Sequence, residues 1–171
     1  MTTRVCSLLV IAWLGAVHGG APSIGEENGL RVEVSTARNA YWVGQVIEVR
    51  IRWSNLTDGS LSFPTNDPRL NEAWIGNPNG NVTHFAIEVL NENNDKLRYD
   101  GVWPGGGDSK WELGPHEVRE VSIPLSDFSG LSVPGRYRIR VAFLGYNDGG
   151  APGDAWRGII RYVEAAIEVR P

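Results

Sequence analysis

Apolar and polar residues alternate one by one along several stretches of this chain, most clearly from Leu131 to Phe143, LSVPGRYRIRVAF. After the Pro134-Gly135 turn, Tyr137, Ile139, Val141 and Phe143 alternate with Arg136, Arg138 and Arg140. A period of two with β-branched and aromatic residues on one side predicts a strand with one face buried and one wet. Leu30, Val32 and Val34 repeat the pattern against Arg31 and Glu33, as do Ile47, Val49, Ile51 and Trp53 against Glu48, Arg50 and Arg52. Phe85, Ile87 and Val89, then Val121 and Ile123, then Val163, Ala165, Ile167 and Val169 complete the inward set. Leu61 and Phe63 predict a brief edge strand ended by Pro64, and Leu97 to Tyr99 a short return strand after the Asn91–Asp95 turn. Asn39 to Gly44 reads as a turn, with Tyr41 or Trp42 covering one end of the core.

No segment of helical length has a 3.6-residue period, so there is no room for the crossover helices of a mixed α/β sheet. The expected fold is therefore all-β: an immunoglobulin-like antiparallel β-sandwich of seven or eight strands with three long loops. A jelly roll or small barrel is the alternative. The loops fall at about 65–81, 101–114 and 145–158, where Asn, Pro and Gly accumulate. Leu125 to Gly130 leaves room for one helical turn.

Ahead of the strands, residues 1–19 read as an export signal: Arg4, then an apolar run from Leu8 to Val17, then small residues. The run is too short for a stable membrane span. Cleavage after Ala16 and after Gly19 both fit, and a buried N-terminal strand is the competing reading. Residues 20–29 make a short polar tether, and 30–171 the sandwich domain. The expected location is periplasmic or extracellular, with no stable membrane span once the leader is gone. The chain's single cysteine, Cys6, lies in the leader, so the mature domain must hold together by core packing without disulfides. A net charge of −4 with no basic cluster argues against nucleic acid as a partner.

A strand ending at Asn55 with Thr57-Asp58 is followed by the edge segment Leu61-Ser62-Phe63 and the strand Phe85-Ala86-Ile87-Glu88-Val89. A Leu113-Gly114-Pro115 step comes next, then Leu131 through Pro134-Gly135-Arg136-Tyr137. This order resembles bacterial immunoglobulin-like modules, including the BsuPI-type proteinase-inhibitor domains, over most of the mature chain. The resemblance implies a sandwich fold and protein binding, protease inhibition included. It also implies that Tyr137 is a corner residue, bonded back to the turn before it. The leader and the long tryptophan-bearing loops depart from that pattern.

Chemistry is sparse. His84 and His116 are the histidines outside the leader and have no close ligand spacing, so no zinc site is expected. No serine sits in a nucleophile elbow, and Gly105-Gly106-Gly107 runs into Asp108, whose charge would repel phosphate. Asp100, Asp108 and Glu112 are the carboxylates a hydrolase would draw on. Asn66-Asp67, Asp100, Asp108, or Asn147-Asp148 with Asp154 offer oxygen ligands for calcium without its regular spacing. No cofactor is otherwise expected. Asn55-Leu56-Thr57 and Asn81-Val82-Thr83 match the glycosylation acceptor pattern.

The unusual feature is where the rings fall. Trp74, Trp103, Trp111 and Trp156, with Tyr146, lie in the three irregular segments, whereas Trp53 sits at a core-facing strand position. Such rings either anchor a partner or plug the open ends of the sandwich. The expectation is a noncatalytic binding or accessory module that contacts a protein through these rings or a sheet edge. A carbohydrate-binding module, and behind it a hydrolase using loop carboxylates, are the alternatives.

Overall fold

The structure, a computed structural model, describes residues 21–65, 84–100, 109–145, 153 and 155–171. Among them there are ten strands and no helix. In chain order these are β1 (Ser23–Glu27), β2 (Leu30–Thr36), β3 (Ala40–Trp42), β4 (Glu48–Asn55) and β5 (Leu61–Thr65). They are followed by β6 (His84–Leu90), β7 (Ser109–Leu113), β8 (Val118–Pro124), β9 (Gly135–Leu144) and β10 (Ile159–Arg170). One sheet has the order β1-β2-β4-β8, a second β3-β10-β9-β6, and β5 pairs with β7. All pairings are antiparallel except β3 with β10, which is parallel.

The two four-stranded sheets bury their inner faces against each other, which makes the molecule a β-sandwich. Val32, Val34, Val49, Ile51 and Trp53 from the first sheet join Ile87, Tyr137, Ile139, Val141 and Ile167 from the second in one hydrophobic core. Among the described side chains the alternation therefore places inward and outward residues as the sequence predicts, the Phe85 side chain lying outside them. The outward arginines pair across strands: Arg50 with Glu120 at 3.2 Å on the first sheet, Arg140 with Glu164 at 2.7 Å on the second. Such exposed pairs add at most about 1 kcal/mol each, so the core and not the ladders holds the sheets together.

Three short elements differ from the sequence reading. The tether at 20–29 contains β1, joined to β2 by Asn28-Gly29. Both residues have positive φ, 47° and 77°, the geometry of a two-residue hairpin turn. The 39–44 turn contains β3, three residues added parallel to the end of β10. The 101–114 segment contains β7, paired with β5 through Thr65 and therefore past Pro64. A two-stranded edge sheet tolerates a proline where a central strand would not. These additions bring the expected seven or eight strands to ten among the described residues.

Two smaller expectations also change. In place of a return strand over Leu97 to Tyr99 there are two isolated bridges, Leu90 with the preceding Lys96 and Tyr99 with Phe128. Leu97 N–H still donates to Val89 O (2.8 Å), but beyond it the chain turns to the 127–129 loop, where Ser129 N–H donates to Arg98 O (2.8 Å) and Asp100 N–H to Asp127 O (2.8 Å). The 125–130 stretch is a series of turns, not a helical turn, with Phe128 N–H donating to Leu125 O at 3.1 Å.

Candidate binding surface

Five consecutive exposed residues, Trp42 to Val46, leave β3 between two buried anchors, Tyr41 and Ile47. The sequence WVGQV packs three large apolar side chains around one glycine. Trp42 is 57% exposed, Val43 45% and Val46 69%, and Val133 on the neighbouring loop is 57% exposed. Apolar residues in a turn have no core to enter once Tyr41 and Ile47 occupy it. Of the two rings expected to cover this end, Tyr41 does so and Trp42 faces solvent.

The turn is fixed by its own hydrogen bonds. Gln45 N–H donates to Trp42 O, Trp42 N–H donates to Gln45 Oε1, both at 3.0 Å, and Val43 N–H donates to Arg170 O at 2.9 Å. The Gln45 side chain thereby occupies the Trp42 amide on the side away from β10, which blunts the edge against further strand pairing. Across from the turn runs the 125–133 loop, and Leu125 N–H donates to Ile47 O at 2.9 Å, tying the two walls at their base. Between them lies a cleft of about 330 Å³. Its floor is Ile47, Leu125, Leu131 and Val169, all buried, with Trp42 and Val46 on one wall and Ser126, Ser129 and Ser132 on the other.

Tyr137 stiffens the second wall from below. Its hydroxyl lies 2.9 Å from Gly130 O and 2.7 Å from Val133 O and donates its one proton to this pair of carbonyls. This is the corner bond that the resemblance implies. Burial, then the nearby Glu92 carboxylate, pushes the Tyr137 pKa above the ordinary phenol value, so the donor stays protonated through neutral pH.

The rings singled out from the sequence fare differently. Trp74, Trp103 and Tyr146 lie outside the described residues, as does the side chain of Trp111, whose backbone belongs to β7. Trp156 is 2% exposed and packs against Phe63 (5.8 Å between ring centres) and Phe143 (5.5 Å), so it plugs the core and offers no face to a ligand. The ring fits only because its neighbours lack side chains: a Cβ on Gly145 would lie 2.6 Å from it, and one on Gly158 2.5 Å. Thr65 faces Ser109, His84 faces Leu144 at the finish of β9, and Phe63 of β5 packs on Phe143 (5.3 Å between ring centres), so the described ends of the tryptophan-bearing loops lie towards that end of β9. The Trp42 turn lies at its start, a ten-residue strand or roughly 30 Å away.

The polar candidates among the described residues are surface or structural groups. Asp100 pairs with Arg98 at 2.6 Å, Glu112 is exposed, and His116 pairs with Asp58 at 2.9 Å in solvent. Asp108 and the His84 side chain lie outside the described residues, as do Asn66, Asp67, Asn81, Asn147, Asp148 and Asp154. Among the described residues no three His, Cys, Asp or Glu side chains gather as metal ligands. Asn55, one of the two glycosylation matches, is 1% exposed. Its amide reaches Gly59 O (2.6 Å), Leu113 O (3.2 Å) and Gly114 O (2.8 Å), while its Oδ1 accepts from Thr57 N–H (2.9 Å) and Oγ1–H (2.8 Å). A nitrogen so buried and so engaged cannot carry a glycan in the folded domain. Glu117 nearby accepts from Arg119 and from Gly114 N–H, which hold its carboxyl below the usual range.

No family model matches this chain, and no curated protein matches it significantly.

Proposed function

We propose that this protein is an exported, immunoglobulin-like binding module that docks on a protein partner through the Trp42–Val46 turn. The observation that carries this reading is the turn itself: a solvent-facing tryptophan flanked by two exposed valines, rigidly hydrogen-bonded and set beside a preformed cleft. Exposed tryptophan on a pre-organised support is the residue type that dominates protein interfaces, where a few such anchors supply most of the affinity. One protruding ring among valines favours a protein over a polysaccharide, which calls for several flat rings in a row. Protease inhibition, implied by the resemblance to BsuPI-type domains, is one form such docking would take. The immunoglobulin-like topology is supported by the Tyr137 corner and by β3 crossing to pair parallel with the last strand. Export is supported by the apolar run ahead of Val17, which lies wholly before β1 begins at Ser23.

A photoreactive residue placed at Val46, and for comparison at Arg50 on the outer face of the first sheet, tests the docking surface in the cells that make the protein. The expected result is a discrete crosslinked adduct from position 46, absent from position 50 and weakened tenfold or more by Trp42→Ala. Equal adducts from both positions, or none from 46, overturn the reading.

A further inference from the structure

The cleft beside the turn carries a sharper statement, which rests on the docking reading. Although charged residues make up 21% of the chain and cover both outer sheet faces, none of the described residues lining the cleft is charged. Asp127, set between the lining residues Ser126 and Phe128, is not among them. Three of the cleft's polar groups are engaged within the fold: Ser129 Oγ donates to Arg98 O (3.0 Å), Ser126 Oγ to Asp127 Oδ1 (3.3 Å), and Gln45 Oε1 accepts from Trp42 N–H (3.0 Å). A ligand bringing a charge would lose its hydration with no charged lining residue to replace it. An apolar group displaces water from the exposed faces of Trp42 and Val46, above the buried floor, at no such cost.

Size narrows the occupant further. At about 330 Å³ the cleft lies at the small end of ligand sites, which run from about 300 to 1,000 Å³. The exposed parts of Trp42, Val43, Val46 and Val133 together come to on the order of 400 Å². A stable protein dimer needs about 800 Å² on each side, so this patch suits a short segment better than a second copy of the chain. We infer that the cleft is a specificity pocket that accepts one uncharged apolar side chain, of leucine or phenylalanine type, from a short segment of the partner, with Trp42 as its wall.

The test titrates isotope-labelled full chain with N-acetyl-leucinamide, N-acetyl-phenylalaninamide, N-acetyl-lysinamide, N-acetyl-glutamic acid amide and methyl glucoside, following amide resonances by NMR. The expected result is millimolar binding of the two apolar amides, with shifts centred on Trp42 and residues 125–132. The charged amides should bind at least tenfold more weakly. Ser132→Phe and, separately, Ser126→Phe, both at exposed positions, should fill the cleft and abolish the shifts. Equal binding of the charged amides, shifts caused by the glucoside alone, concentration-dependent self-association through these residues, or no shift at all overturns the inference. The two readings fail separately. An adduct at position 46 that survives Ser132→Phe leaves the docking turn standing and removes the pocket, whereas no adduct at position 46 removes the docking reading itself.

Discussion

Asn55 and Trp156 show how single residues hold this sandwich at the end where the loops leave it. Asn55 is a buried polar group that substitutes for missing backbone pairing, joining the 57–59 turn to Leu113 and Gly114. Removing it takes a partner from the buried Leu113 carbonyl and from part-buried groups at Thr57 and Gly114, so Asn55→Ala should destabilise by about 2 kcal/mol. Trp156→Ala leaves a cavity against Phe63 and Phe143 and should cost about 3–5 kcal/mol. Urea midpoints measured at unchanged slope check both. If Trp156→Ala lost less than about 1 kcal/mol, the ring would not be the plug described. Both possible roles of Trp156 were visible in the sequence, and so were the glycines that decide between them. Nothing local says that Gly145 and Gly158 close on the same ring, because they meet only when β9 and β10 pair.

At the scale of elements, the long strands were legible and the short ones were not. β4 and β9 bury one face over many residues, so their side chains announce them. β3 and β7 are three and five residues long and exist through backbone pairing with β10 and β5, which leaves little mark on side-chain pattern. β1 did carry a signal, the Asn28-Gly29 pair, but its polar composition reads equally well as a tether. The corner between β8 and β9 allows a direct test. Because the folded-state pKa of Tyr137 is raised, its contribution is present below the ordinary phenol pKa of about 10 and is lost as pH rises through the folded value. Tyr137→Phe should lower stability by about 1 kcal/mol at neutral pH. It should also flatten the alkaline limb, the remaining slope coming from groups such as Tyr162, whose pKa burial also raises. A curve of stability against pH for the two proteins, parallel throughout, would show that the hydroxyl does not hold the corner.

For the whole molecule, the two ends of the sandwich divide the surface. One end gathers the ends of the long loops and is sealed, among the described residues, by Trp156; the other presents Trp42 and the uncharged cleft. Export is tested at this scale too. N-terminal sequencing of protein recovered outside the cytoplasm should begin after Ala16 or Gly19, both of which leave β1 intact. A chain retained inside the cell with Met1 at its start would remove the export reading.

The sequence by itself determined that the chain is all-β, which residues face inward and that the sheet faces are charged, because a period of two ties every side chain to one face or the other. It also supplied the corner tyrosine, through a resemblance in the order of turns. Only the tertiary structure decided which aromatic rings reach solvent. Tyr41 and Trp42 are adjacent and similar in character, and Trp156 sits in a segment as glycine-rich as any other. Whether such a ring is core or surface depends on which strands arrive beside it, a long-range fact that no local pattern encodes.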